Sequence, residues 1–175
     1  MAKGNSKVGM NNKIVTYALF HGSPSTDIEE FDMERAGTNT RSGEHFIFFT
    51  DSKDAADEFS YERQETDSMF FDKRGKKGKV YEVDVSMRKP LDLTNLSNAD
   101  VKNIMKLDIS GGLLTEDMIK RFSNGNNQLL KQYIDLDKLS KLGYDGFIAK
   151  LGMDKSGAKE YAVINSKQAK IKKRS

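Results

Sequence analysis

Two periods organise the apolar positions of this chain. Residues 14–20 form an apolar, β-prone run that ends at His21-Gly22-Ser23-Pro24, a turn signal. Residues 45–49, His-Phe-Ile-Phe-Phe, predict a short aromatic strand whose alternation sets Phe46 and Phe48 on one face and Phe49 on the other. Tyr81-Glu82-Val83-Asp84-Val85 repeats every second residue, as a half-buried strand does, and Pro90 stops it. Residues 144–150 and 161–165 predict two further strands, separated by a polar loop at 152–159. Between these segments helical spacing takes over. Thr50-Asp51-Ser52 offers N-cap side chains for a helix over 53–65, with Ala55, Ala56 and Phe59 along one side. Ser97-Asn98 precedes Val101, Ile104 and Met105 at helical spacing, and after the Gly111-Gly112 break residues 115–122 predict another short helix. Leu130, Tyr133, Ile134, Leu139 and Leu142 mark helical segments that Gly143 ends. Residues 1–12 read as a disordered polar extension, 24–44 as loop with room for one short helix, and 66–79 as an exposed basic loop. Strands at both ends with helices between them, and no regular βαβ alternation, predict an α+β fold. One domain over 13–171 is expected, followed by a basic tail at 172–175.

Composition trims the function classes. At 37% hydrophobic and 31% charged residues the chain is polar yet able to fill a core, and 9% aromatics argue against disorder. No apolar stretch approaches the ~20 residues that span a bilayer, and the first residues lack a secretory apolar segment. Absence of cysteine removes disulfides, thiolate catalysis and cysteine-based zinc sites together. A cytoplasmic protein, of the producing cell or of a host, is expected. Net charge is only +3, but Lys73, Arg74, Lys76, Lys77 and Lys79 crowd one segment and Lys170, Lys172, Lys173 and Arg174 the C-terminus. Such clusters bind phosphate backbones or simply solvate a loop and a tail. No aromatic RNA-binding motif or helix-turn-helix pattern accompanies them.

Few residues stand out as chemistry. Of the two histidines, His21 ends a strand beside Gly22, where a ligand can approach the backbone closely, whereas His45 opens a strand beside Glu44. No carboxylate set at metal-ligand spacing joins them, so no metal is expected. Glu160 differs from the other acids in preceding the apolar run Tyr161-Ala162-Val163-Ile164 after a glycine-containing loop. Each has a plain structural alternative: a lone histidine in a core, a charge at a strand edge. The rings of Phe46, Phe48, Phe49 and Phe59 are equally core or a stacking surface for a flat heterocycle.

The linear order distinguishes them. Leu19-Phe20-His21-Gly22-Ser23, then Phe48-Phe49-Thr50-Asp51, then Phe59, then Lys159-Glu160-Tyr161-Ala162-Val163 resemble the ADP-ribosyltransferase superfamily, in the branch shared by diphtheria-type toxins and poly(ADP-ribose) polymerases. Lys141-Leu142-Gly143-Tyr144-Asp145-Gly146-Phe147 is similar to the strand lead-in of small bacterial and phage-type members. The resemblance covers residues 17–171. It implies a split β-sheet core with flanking helices, NAD as co-substrate, and a His-Tyr-Glu triad read here as His21, Phe48 and Glu160. His21 is implied to hydrogen-bond a ribose hydroxyl, and Gly22 to hold the nicotinamide amide through its backbone, with Ser23 beside it. Phe48 and Phe59 are implied to stack on nicotinamide, and Arg41 to meet the diphosphate.

Three positions depart from or qualify the pattern. Phe48 lacks the triad tyrosine hydroxyl, Ala56 stands where many polymerase-like members place a serine, and Ala158 stands where arginine-modifying members place a second glutamate. Arginine is therefore disfavoured as the modified residue. The implied activity is transfer of a single ADP-ribose to a macromolecular acceptor, protein before nucleic acid, by a monomer without a membrane partner. Hydrolysis of NAD by the same site, a catalytically silent module of the same fold, and a basic nucleic-acid-binding module are the alternatives.

Overall fold

The computed structural model describes residues 13–36, 46–64, 73–151 and 157–172. Its backbone is set by two long alternating segments. β1 (Val15–Ser23) and β5 (Lys79–Met87) run antiparallel in unbroken register from Val15–Met87 to Ser23–Lys79. On β5, Tyr81, Val83, Val85 and Met87 are buried while the residues between them are not, the burial expected of its sequence pattern. β9 (Ala169–Ile171) pairs with the other edge of β5. A second set of strands, β6 (Leu91–Asp92), β7 (Gly146–Lys150), β8 (Lys159–Val163) and β2 (Ile47–Thr50), completes a sheet of order β6-β7-β8-β2-β1-β5-β9, in which β6–β7 is the parallel pair. A separate hairpin joins β3 (Tyr61–Gln64) to β4 (Lys73–Lys77).

Each face of the sheet carries an apolar cluster, and the strands divide their residues between them. Phe46, Phe147, Ala149 and Ala162 face α2 (Asn98–Lys106) and α3 (Glu116–Asn124), with Val101, Ile104 and Ile119 supplied by the helices and Phe48 packed alongside. Ile47, Phe49, Ile148, Tyr161 and Val163 face the other way and meet Leu19, Val83 and Val85. Phe46 and Phe48 thus lie opposite Phe49, as alternation requires. Helix starts follow the sequence too. Ser52 accepts from the Ala55 amide, Ser97 and Asp100 form a reciprocal capping box, and Thr115 accepts from the Met118 amide. Gly143 ends the turn Leu136–Leu142 at φ 78°, a conformation open to glycine. A large sheet flanked by a few helices is the α+β architecture expected.

Several expectations are corrected. β1 does not stop at residue 20 but carries His21, Gly22 and Ser23 in register with Tyr81, Val80 and Lys79, so the turn begins at Pro24. The helix over 53–65 is α1 (Lys53–Glu58) alone. Ser60 Oγ donates back to the Asp57 carbonyl at 2.7 Å and the Ser60 carbonyl accepts from the Gly78 amide at 2.8 Å, which turns the chain into β3. The basic loop over 66–79 contains β4 and the start of β5. Lys77 there bonds Asp57 at 2.8 Å and lies 5.2 Å from the centre of the Tyr61 ring. The helical segments over 130–142 are 3-10 turns, Asn127–Gln132 and Leu136–Leu142. β7 begins two residues later than expected and ends where expected, whereas β8 lies two residues earlier at both ends, which puts Glu160 inside it; β6 and β9 have no counterpart in the sequence reading. Residues 1–12, 65–72 and 173–175 lie outside the described residues, and with them the extension and most of the tail.

Candidate active site

The sheet opens between β1 and β2. These strands pair at Phe20–Thr50, and the ladder does not continue to the next positions along, His21 and Phe49. Into that opening the His21 side chain bonds the Phe48 carbonyl at 2.8 Å. A carbonyl only accepts, so Nδ1 carries the proton and Nε2 is left as a lone-pair acceptor. The ring sits edge-on to Phe31 at 5.0 Å and tilted to Phe49 at 5.6 Å. Burial pushes the His21 pKa below its ordinary value, against the smaller opposing effect of the Phe48 carbonyl, and the imidazole is therefore neutral at pH 7.

Register places the other two members of the expected triad. Phe48 faces Ala162 across β2–β8 and Thr50 faces Glu160, so Phe48 and Glu160 project from the same face as diagonal neighbours. Glu160 is 8% exposed. Its Oε1 accepts from Lys131 Nζ at 2.7 Å and from Gln128 Nε2 at 2.8 Å. The Lys131 ammonium lies 5.8 Å from the centre of the Phe48 ring and 5.5 Å from that of Phe147.

Gly22 has a tighter reason than ligand access. A Cβ built there would lie 1.7 Å from the Ala56 carbonyl oxygen and 3.0 Å from the Ser60 amide nitrogen. α1 therefore rests directly on the backbone of β1, with Ala56 fully buried at the contact. Phe59 caps the C-terminus of α1 and is 44% exposed. Ser23 is buried and its hydroxyl accepts from the Ser25 amide at 3.2 Å.

These residues share one cleft of about 1010 Å³, lined by His21, Gly22, Ser23, Phe48, Phe59 and Glu160. The structure thus brings together every expected site residue it describes. Arg41 and His45 lie outside the described residues, as does 152–156 of the loop before Glu160. The segment after β1 forms another wall, carrying Asp27, Glu29, Glu30 and Asp32 as well as Arg35. Among the described residues no group of His, Cys, Asp or Glu is arranged to hold a metal ion, and no helix is long and apolar enough to cross a membrane.

Sequence reasoning missed Lys131, Gln128 and Phe31. Lys131 and Gln128 sit 29 and 32 positions before Glu160 on a 3-10 turn, and no local signal separates this lysine from the other basic residues. Phe31 was legible only as an apolar residue within a polar loop.

Compared with known proteins, residues 16–174 match the family model described as ADP-ribosyltransferase in polyvalent proteins. No match is found among curated proteins. A solved structure described as an anti-CRISPR protein is similar over 90% of this chain and 96% of its own, with 16% identity and a TM-score of 0.44.

Proposed function

The chain belongs to the ADP-ribosyltransferase family of polyvalent proteins, and on that premise we propose that it breaks the bond between nicotinamide and ribose in NAD and passes one ADP-ribose to a protein acceptor. The observation that carries this reading is the convergence of His21, Phe48, Phe59 and Glu160 on one cleft.

Each side chain has the chemistry its step needs. The lone pair of His21 Nε2, fixed by the bond from Nδ1 to the Phe48 carbonyl, accepts a ribose hydroxyl proton and sets the sugar's orientation. Phe48 and Phe59 offer ring faces to the nicotinamide, each worth ~1 kcal/mol. The backbone of Gly22, at the rim where β1 and β2 part, holds the amide of that ring. Nicotinamide leaves neutral with the bonding electron pair, so no general acid is required. Positive charge then develops on the ribose, as in glycoside hydrolysis. Glu160 supplies the negative charge opposite it and strengthens its interaction as the bond breaks, which lowers the barrier. The same carboxylate accepts the proton that the incoming nucleophile loses as it bonds to the sugar carbon.

Two features bear on the acceptor. The wall bearing Asp27, Glu29, Glu30 and Asp32 repels a long polyanion, which favours protein over nucleic acid. Ala158, at the position of a second glutamate in arginine-modifying members, favours an acceptor other than arginine.

The test is nicotinamide release from labelled NAD in a cell lysate. Glu160→Ala is expected to lose ~10²–10³ in rate, the usual cost of removing a group that stabilises transition-state charge. Full activity in a folded Glu160→Ala protein would overturn the assignment. Label on macromolecules, removed by protease and not by nuclease, marks transfer to protein, whereas free ADP-ribose alone marks hydrolysis.

A further inference from the structure

We propose that Lys131 and Gln128 are positioning residues that divide the Glu160 carboxylate into a held oxygen and a working oxygen. The inference rests on the function proposed above. Both donors converge on Oε1, Lys131 Nζ at 2.7 Å and Gln128 Nε2 at 2.8 Å, and among the described residues no donor reaches Oε2. Two bonds to one oxygen restrain the carboxylate and leave the other oxygen for the cleft that Glu160 lines.

The turn that carries these donors is itself anchored. The fully buried Asn127 accepts from the Lys150 amide at 2.9 Å, and Gln128 Nε2 also donates to the Lys150 carbonyl. Lys150 is the β7 residue next to Ala149, the register partner of Glu160. Both groups of one peptide-chain position thus tie the turn to the strand beside the carboxylate. Lys131 gains a second anchor from the rings of Phe48 and Phe147, whose faces attract its ammonium.

Electrostatics explains why a cation stands there. The ion pair is largely shielded, with side-chain exposures of 18% for Lys131 and 11% for Glu160. An ionised carboxylate at such depth is costly without a partner, and removing one partner strands the other. Lys131 pairs with the Glu160 carboxylate at 2.7 Å and holds it in place, at the cost of part of the negative potential offered to the sugar. Gln128 adds orientation without that cost, because it is neutral.

The experiment is a double-variant cycle on the full chain, read by nicotinamide release. Lys131→Met is expected to lower kcat by about 10–100-fold, the usual worth of a hydrogen bond to a charged group, with KM for NAD little changed. Lys131→Arg, which keeps the cation, is expected to restore most of that rate. In a Glu160→Gln background, Lys131→Met is expected to change kcat by less than about twofold, because its partner charge is already gone. Gln128→Leu, which keeps the ion pair, gives a second route if Lys131→Met does not fold. It is expected to lower kcat in the wild-type background and to do nothing beyond Glu160→Gln. Independent losses that multiply in the double variants overturn the proposal and leave the NAD reaction standing. So does a rise in KM at constant kcat, which marks direct contact with NAD, or a rise in kcat, which marks an obstruction. Absence of NAD cleavage by the wild-type chain overturns the function and this inference together.

Discussion

Replacing Gly22 by alanine tests whether the glycine serves the fold rather than the ligand alone. The added methyl carbon would lie 1.7 Å from the Ala56 carbonyl oxygen, 2.8 Å from its carbonyl carbon and 3.0 Å from the Ser60 amide nitrogen. A carbon and an oxygen settle no closer than ~3.3 Å, so α1 must retreat by roughly 1.6 Å along that direction. The obstacle is backbone, and no rotamer change relieves it. Retreat uncovers Ala56, which is fully buried, and loosens the turn through Ser60 into β3. Overpacking of this kind costs ~1–3 kcal/mol, and the absence of a flexible neighbour places Gly22→Ala near ~3 kcal/mol. For a chain of this length that is about 6–12 °C in Tm. Thermal and urea unfolding of the two proteins without NAD measure it directly, and a steady-state KM for NAD shows whether the displaced Phe59 matters. A Tm within 2 °C of wild type (roughly the shift from ~1 kcal/mol or less) would refute the close approach of α1 to β1.

Two further outcomes are expected. Phe59→Ala removes a ring that is 44% exposed, so stability is little changed while KM for NAD rises about fivefold, the equivalent of ~1 kcal/mol of stacking; an unchanged KM removes Phe59 from the site. His21 has its pKa lowered from 6.5 in the fold by burial, so below pH 6.5 the unfolded chain takes up a proton that the folded chain does not. Stability therefore falls as pH drops from 7 to 5.5, and His21→Asn is expected to flatten that part of the profile; parallel urea-unfolding profiles for the two proteins would show that the imidazole is not held neutral.

What was legible in the sequence was local. Alternation placed Phe46 and Phe48 opposite Phe49, and Ser52, Ser97 and Gly143 marked helix ends by side-chain or backbone chemistry that needs no partner from elsewhere. The site residues were legible as an ordered set, because His21, Phe48, Phe59 and Glu160 lie in short runs of characteristic type. Three things depended on tertiary structure. The end of α1 is decided by Ser60 and Gly78, and β3 and β4 exist only as each other's partners. Glu160 gave no sign of its counter-ion, because Lys131 comes from a turn 29 positions earlier in the chain. Gly22 suggested ligand access, since nothing in the sequence states that α1 packs on it.

The parting of β1 from β2 has a thermal consequence. Where the backbone ladder gives way, the two halves of the sheet are joined by the Phe20–Thr50 pair, the His21–Phe48 bond and the apolar cluster that holds Leu19, Val83, Ile47, Phe49 and Tyr161. Ladder hydrogen bonds change little in strength over a few tens of degrees, but apolar association weakens on cooling. The joint beside the cleft is accordingly softest in the cold and firmest near ordinary working temperatures.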